Sequence, residues 1–447
     1  MYKIPLISLV WLFLLISCHQ DMGRMLTGDQ NRKPYFEPIP YGMTFVKQGS
    51  LNIGPSEEQS DYSNTSAKTV SVPSFWMDDT EITNNEYRQF VYWVRDSIAR
   101  QLLAESIPEF LITEGKHGNI LDIPHLNWME PIEWKNPDYQ TALEELFLPE
   151  NERFFNRKEV DTRKLKFEYY WIDYKQAAKR ANSYNYQTQS YQGNVVDASG
   201  KVSPIQNRSS FIMHEITPVY PDTLVWMRDY TFSYNEPLTM KYFSHVAYDD
   251  YPVVGVTWKQ AKAFCQWRTK QLNNFQEMLK NPGVMDYRLP SEIEWEFAAR
   301  GGHEMTVYPW GSYYTRDMDG NYLANFKPMR GNYVSDSRTN VTTMKVANYL
   351  PNSYGLYDMA GNVAEWTSNA YDESAYQVIS DFSPDFQYDA KPDDPPAMKR
   401  KVVRGGSWKD IAYYIQVSTR SFEYQDSAKS YIGFRCVRST FKPKYYE

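Results

Sequence analysis

Three stretches of the chain repeat apolar side chains at intervals of three and four residues, the spacing of one helix face. Each begins with a capping box, in which a Thr or Ser hydroxyl accepts from a nearby amide and a later Glu or Gln reaches back. The boxes occupy residues 83–86, 257–260 and 291–294, and two glycines at 301–302 follow the third stretch. The pattern predicts three amphipathic helices.

Shorter patterns predict strands and minor elements between these helices. Residues 43–54 alternate and are broken by glycine, as in a hairpin. Residues 69–78 predict one strand in which Pro73 marks an edge or a bulge. Weaker patterns predict helices near residues 139–146 and 173–184, and an exposed hairpin within 187–210.

The N-terminal segment has the features of an export signal. A basic start is followed by an apolar run that is short for a membrane-spanning helix, which predicts a signal peptide over residues 1–17. The residues that end at Cys18 resemble a bacterial lipobox, so we expect Cys18 to be lipidated and residues 18–40 to form a tether. The alternative is an ordinary signal peptide with an incidental cysteine. The residues after Cys18 favour the outer membrane, with the protein facing the periplasm.

Length, charge and cysteine content limit the number of domains and the classes of partner that the sequence predicts. A length of 447 residues allows two or three average domains or one elaborated domain. The formal net charge is −7 and basic residues are dispersed, so the sequence predicts no nucleic-acid partner. Cys265 and Cys436 could form a disulfide in an exported protein, and two buried thiols are the alternative.

Three short segments combine glycine, an aromatic residue and single charged residues: 361–366, 404–408 and 433–436. This mixture predicts a loop-rich core that is held by a few buried ion pairs, with or without a cation. The sequence indicates no zinc, phosphate-binding or nucleophilic serine site, because the six histidines are dispersed and no phosphate loop or nucleophile elbow is present. Ser407 is more consistent with a turn hydroxyl than with a nucleophile.

These segments, with several others in order, resemble the formylglycine-generating enzyme (sulfatase-modifying factor) family. The resemblance covers about two-thirds of the chain, in residues 43–54, 76–84, 252–258, 287–302, 308–311 and 351–438. It implies an α+β, C-type-lectin-like fold with short strands and many loops. The domain is expected over residues 41–440, with insertions at about 100–250 and 385–401.

The insertion and the lipobox together resemble a narrower family, the GldK/PorK lipoproteins of the Bacteroidetes type IX secretion and gliding machinery, with GldJ as the sibling alternative. This resemblance implies a structural lipoprotein that self-associates into a periplasmic ring with a GldN/PorN-like partner. Two other functions remain open, an active oxidase of the formylglycine-generating type and a lectin-like binding protein.

The resemblance also identifies what the site lacks and what it could hold. Family enzymes bind copper(I) through two cysteines, and the corresponding segment from Trp408 to Arg420 contains none, so we expect no catalytic residues and no catalytic cofactor. Structural Ca²⁺ is implied in one or two places. The first set of ligands is Asn362, Glu365 and the carbonyls of Gly361 and Val363, and the second is Asn325 and Asp336. The alternative is that Glu365 pairs with a buried arginine, Arg404 or Arg435.

Overall fold

The computed structural model describes residues 37–53, 68–115, 119–229, 237–328, 340–382 and 384–440. The predicted signal peptide, Cys18 and Asp336 lie outside these residues. Pro40–Thr440 form one compact unit. Within the described residues, no helix is both long and apolar enough to cross a membrane.

The three capped helices form at the predicted positions. In chain order the α-helices are α1 (Asn84–Ala104), α2 (Pro137–Ala142), α3 (Tyr174–Ala177), α4 (Val225–Asp229), α5 (Pro237–Lys241), α6 (Trp258–Met278), α7 (Glu292–Arg300) and α8 (Ala375–Val378). Helices α1, α6 and α7 each begin with a complete capping box, and Gly301 ends α7 in the left-handed conformation. Short 3₁₀ helices occupy Pro108–Phe110, Leu143–Leu146, Glu150–Glu152, Phe154–Asn156, Thr162–Lys164, Arg180–Asn182, Arg208–Phe211, Val246–Tyr248 and Pro396–Lys399.

The strands are short and form two four-stranded sheets with several separate ribbons. In order they are β1 (Met43–Val46), β2 (Gly49–Ile53), β3 (Lys68–Val72), β4 (Phe75–Asp78), β5 (Leu111–Glu114), β6 (Ile120–Leu126), β7 (Lys166–Ile172), β8 (Tyr184–Asn185), β9 (Ser190–Tyr191), β10 (Asn194–Val196), β11 (Val202–Pro204), β12 (Ile212–Pro218), β13 (Tyr287–Arg288), β14 (Ala364–Ala370), β15 (Arg400–Arg404), β16 (Ser421–Tyr424), β17 (Ile432–Gly433) and β18 (Val437–Ser439). One sheet has the order β1-β4-β18-β13 and the other β16-β15-β14-β17. Only the β14–β17 pairing within these two sheets is parallel. This mixture of helices, short strands and loops agrees with the predicted α+β class.

An aromatic cluster joins α1, α6 and the C-terminal segment. Tyr87 stacks on Phe264 with a centroid distance of 5.6 Å, and Phe434 meets Phe264 edge-on at 5.4 Å. These rings are buried, and the Tyr87 hydroxyl donates to the carbonyl of Val219 at 3.0 Å. The cluster therefore holds the two long helices, α1 and α6, against segment 433–436.

Three local predictions are wrong in detail. Strands β1 and β2 do not pair with each other, because β1 pairs with β4 and β2 with β3. The predicted strand at residues 69–78 is two strands, β3 and β4, in different sheets, and Pro73 lies at the break. The helix predicted at 173–184 ends at Ala177, where the Gln176 side chain turns to bond the backbone of Val196 in place of a further helical turn.

Candidate functional site

Segments 361–366 and 433–436 contact each other at a buried ion pair between Glu365 and Arg435. Their side chains are 1% and 0% exposed, and Arg435 donates through Nη2 to Oε1 at 2.7 Å and through Nε to Oε2 at 2.8 Å. The Trp295 indole also donates to Oε2, at 2.7 Å. The remaining guanidinium hydrogens reach three backbone carbonyls, those of Asp78, Asp79 and Tyr357. Arg435, rather than Arg404, is therefore the partner of Glu365.

Arg404 holds a second buried network. Its guanidinium bonds Glu296, which also accepts from Arg300 at 2.6 Å. Arg404 also donates to the carbonyls of residues 417–419, at 2.7–3.1 Å. Glu292 lies 3.5 Å from Arg404. The network connects helix α7 to residues 417–419, in the segment that follows the turn at residues 405–407.

Two further buried carboxyl groups lie beside the first ion pair. Glu81 is 0% exposed, its Oε1 accepts from Asn362 at 3.1 Å, and its side chain shares a hydrogen bond with Asp358. Burial, reinforced by the charge of Asp358, raises the pKa of Glu81 well above its usual range. Burial also raises the pKa of Asp358 to about 6. Three carboxyl groups thus share Arg435 as their principal cation.

The turn at Gly361 and Asn362 closes on the backbone of Asn325. Gly361 has φ +78° and Asn362 has φ +56°. The Asn362 amide donates to the Asn325 carbonyl at 2.7 Å, and a Cβ on Gly361 would lie 2.4 Å from that oxygen. Glycine is therefore required at position 361 by backbone conformation and by space.

The structure describes all of the predicted calcium ligands except Asp336, and it places Asn325 beside the first set. Gly361, Asn362, Val363 and Glu365 follow one another, and Asn325 contacts their turn. The side-chain oxygens of Asn362 and Asn325 already accept amides, from Met344 at 2.8 Å and Asn340 at 2.9 Å.

The negative charge around this turn favours a hard cation. The arrangement of the ligand oxygens does not, because the side-chain oxygens of Asn362 and Asn325 already accept amides. Among the described residues, no group of three or more His, Cys, Asp or Glu side chains is arranged to hold a metal ion. The three carboxyl groups that share one arginine are nevertheless an excess of negative charge that an oxygen-ligated cation such as Ca²⁺ would offset.

The segment from Trp408 to Arg420 supplies no soft metal ligand. The Ser407 hydroxyl donates to Asp410 Oδ2 at 2.6 Å and accepts from the amide of Lys409, as expected for a turn. Ile415 and Val417 are fully buried. Carboxylate, hydroxyl and apolar groups therefore fill the position at which thiolates are expected in a copper enzyme.

Cys265 and Cys436 are neighbours in the core. Their Sγ atoms are 3.5 Å apart, both side chains are buried, and both are free thiols in this structure. Burial raises the pKa of the Cys436 thiol well above its usual range, so neither a nucleophile nor a metal ligand is indicated at this position.

Lys401 is a buried amine that has no role in the ion pairs above. Its side chain is 0% exposed, lies 3.7 Å from Asp389, and packs 3.8 Å from the Trp258 ring centroid. Burial lowers the pKa of Lys401 to about 8, although Asp389 acts in the opposite direction.

We expect the contribution of Lys401 to the stability of the protein to rise between pH 8 and about 10.5. Over this range the unfolded chain, with an ordinary lysine pKa, holds a proton that the folded chain has released, so raising the pH favours folding. The gain is about 3 kcal/mol, since a pKa difference of one unit corresponds to about 1.4 kcal/mol. Urea unfolding of the wild type and Lys401→Met at several pH values measures it. Equal pH slopes in the two proteins would contradict the expectation.

Sequence reasoning missed Glu81, Asp358 and Lys401. Glu81 and Asn362 are 281 positions apart, so no local pattern indicates their contact. Lys401 ends the polar insertion expected at 385–401, which was predicted to be a surface loop, whereas the structure places Lys401 at a buried position of β15. Of these three residues, only Asp358 had a sequence signal, its position just before the turn at Gly361.

Comparison with known proteins identifies the family. The model for the sulfatase-modifying factor enzyme 1-like domain matches residues 36–440. An inactive C-alpha-formylglycine-generating enzyme 2 of Mus musculus is 34% identical over 200 residues, 43% of this chain and 51% of that protein. A formylglycine-generating enzyme of Bos taurus is 32% identical over 194 residues, 42% of this chain and 44% of that protein. The match thus spans about half the length of these relatives.

A solved structure, that of PvdO from Pseudomonas aeruginosa, aligns over 89% of this chain and 94% of its own, with 14% identity and a TM-score of 0.44. The family model covers nearly the whole described chain, with the ion pairs and the glycine turn inside it. The chain therefore belongs to the sulfatase-modifying factor enzyme 1-like family, which includes both formylglycine-generating enzymes and inactive relatives.

Proposed function

We propose that this protein is a non-catalytic, structural member of its family. One observation carries the proposal: the segment from Trp408 to Arg420 contains no cysteine, while the ion pairs around it are complete. A copper(I) site needs soft ligands, and carboxylates and aliphatic side chains do not supply them. The family scaffold is then retained as a rigid block whose loops and insertions carry surfaces for other proteins.

The finer proposal is a GldK/PorK-like role, with GldJ as the sibling, in the type IX secretion and gliding machinery. Cys18 would anchor the chain in the outer membrane, facing the periplasm. The protein would self-associate into a ring with a GldN/PorN-like partner. Exposed aromatic side chains in the insertion, such as Tyr174 and Tyr186, suit such contacts.

Detergent extraction and affinity purification of the full chain test this role. We expect a large assembly that contains a second periplasmic protein. Incubation of the same sample with a cysteine-containing peptide, with and without copper, tests for oxidase activity. A monomer that oxidises the peptide would overturn the proposal, and saturable sugar binding by a monomer would favour the lectin-like alternative.

We further propose that Ca²⁺ binds at the turn that contains Gly361, Asn362, Val363 and Glu365, and that Asn325 and Asp336 belong to a second calcium site. The excess of buried carboxyl groups at Glu81 and Asp358 supports this proposal, since a cation would offset their charge.

We expect Ca²⁺ to raise the melting temperature of chelator-treated protein. A ligand at one hundred times its Kd stabilises the folded state by about 2.7 kcal/mol, which is a shift of several degrees. Scanning fluorimetry with CaCl₂ measures the shift, and MgCl₂ is the control because Mg²⁺ requires a smaller octahedral site. The proposal fails if millimolar Ca²⁺ and Mg²⁺ leave the melting temperature equally unchanged.

Cys265 and Cys436 should form a disulfide in protein that has been exported to an oxidising compartment. The two Sγ atoms are 3.5 Å apart and must approach to about 2.05 Å to bond. Alkylation under denaturing conditions, followed by mass spectrometry, should modify both cysteines only after reduction. Modification without reduction would show that the thiols stay free.

A further inference from the structure

Strand β7 has one paired edge within the described residues. Its partner is β12, which runs antiparallel to it. At the two ends of the ribbon, the amide of Asp173 donates to the carbonyl of Phe211 and the amide of Val219 donates to the carbonyl of Leu165, each at 2.9 Å. Only alternate residues of an antiparallel pair exchange hydrogen bonds with their partner. The odd-numbered residues of β7 therefore bond β12.

The even-numbered residues direct their amides and carbonyls towards the other edge. These residues are Lys166, Glu168, Tyr170 and Ile172. In the described structure, no backbone hydrogen bond reaches these groups from any other segment. A strand edge of this kind is a template for an added strand.

A groove of about 830 Å³ runs along this edge. All seven residues of β7 line it, as expected when the edge of the strand, rather than one face, borders the space. The opposite wall consists of α1 and α6, with Trp93, Val94 and Ile98 from the first and Thr269 and Lys270 from the second. At about 3.3 Å per residue, β7 offers roughly 23 Å of edge, enough for a bound segment of six or seven residues.

The groove walls define the chemistry of its occupant. Every second side chain of an added strand would point towards the α1 wall, where Trp93 and Ile98 alternate with Ser97 and Gln101, and the others would lie beside Tyr170 and Ile172, which are 59% and 47% exposed. Apolar side chains suit the first set. The two lysines in the lining, at 166 and 270, offset the two carboxylates, at 168 and 286, so no net charge is required of the occupant.

The shape of the site argues against a second copy of this chain as the occupant. A two-fold contact requires a surface that complements itself. Here the free edge faces a helical wall across the groove, so the groove has two unlike sides and does not complement itself. An extended segment of a different polypeptide can enter where a folded copy cannot.

We propose that this groove binds an extended, uncharged segment of a partner polypeptide, with apolar side chains at alternate positions, as an added strand on β7. Backbone hydrogen bonds supply most of the affinity, and the α1 wall selects the alternating apolar side chains. None of the buried ion pairs takes part, so the inference holds whether or not the protein is catalytic.

Proline substitution on the two edges of the ribbon separates this site from general stability. Tyr170→Pro removes a groove-facing amide and leaves the bonds to β12 in place. Ile216→Pro is the matched control, since residue 216 pairs opposite residue 168 and directs its amide to the far edge of β12. Comparable melting temperatures for the two variants establish that both are folded.

The probe is a random nine-residue phage-displayed library, panned on the full chain and counter-selected on Tyr170→Pro. We expect enriched peptides with alternating apolar residues and no net charge. Fluorescence anisotropy of labelled winners should show at least tenfold weaker binding to Tyr170→Pro and less than twofold change for Ile216→Pro. Failure to enrich such peptides, or equal binding to both variants, overturns the proposal.

Discussion

The Arg435→Met variant should lose about 3–5 kcal/mol of unfolding free energy, the largest effect that we expect from a single substitution. The change leaves Glu365 buried at 1% exposure without its charge partner, beside the buried carboxyl groups of Glu81 and Asp358. Removing one member of a buried pair costs far more than the pair contributes, because the remaining charge stays desolvated. Three backbone carbonyls also lose their donor. Urea unfolding followed by tryptophan fluorescence measures the loss.

The matched control is Arg228→Met, which removes an arginine that is 63% exposed and pairs with Asp222 at 3.0 Å. An exposed pair contributes about 0–1 kcal/mol, so this variant should remain close to the wild type. The double variant Arg435→Met, Glu365→Leu should recover part of the loss, since no unpaired carboxylate then remains at position 365. Equal losses in the two single variants, or no recovery in the double variant, would contradict the role of Arg435.

Features decided within a few residues could be predicted from the sequence. The starts of α1, α6 and α7 depend on a hydroxyl and on a side chain three positions later, so the capping boxes gave the correct residues. The end of α7 depends on a single glycine, Gly301, with φ +59°. The α+β class and the family also followed from the sequence, because many short motifs occur in the same order.

Features that depend on distant partners could not be predicted in this way. The alternation in residues 43–54 fits β1 and β2 equally well whether they pair with each other or with β4 and β3. The sequence left two arginines open as partners of Glu365, and only the fold selects Arg435. The free edge of β7 is likewise a property of the sheet, since its sequence alternation is that of any half-buried strand.

The buried charges and the glycine turn belong to one structural unit. Asn362 connects them, since its amide donates to the Asn325 carbonyl and its side chain donates to Glu81. Because the carbonyl of Asn362 also accepts from Trp408, the turn fixes the start of the segment that lacks the cysteines. A change in this turn should therefore destabilise the whole core rather than one loop.

The Gly361→Ala variant should lose about 3 kcal/mol, the second large effect that we expect. A Cβ at this position would lie 2.4 Å from the Asn325 carbonyl oxygen, and φ is +78°. A positive φ costs a non-glycine residue about 1 kcal/mol, and relieving the overlap by moving backbone costs about 2 kcal/mol more. Gly42→Ala is the control, since its φ is +69° but nothing lies within 4 Å of the added Cβ. Only the cost of the positive φ applies to Gly42→Ala. Urea unfolding should therefore show a clearly larger loss for Gly361→Ala. Equal losses in the two variants would mean that the turn at residue 361 adjusts without cost.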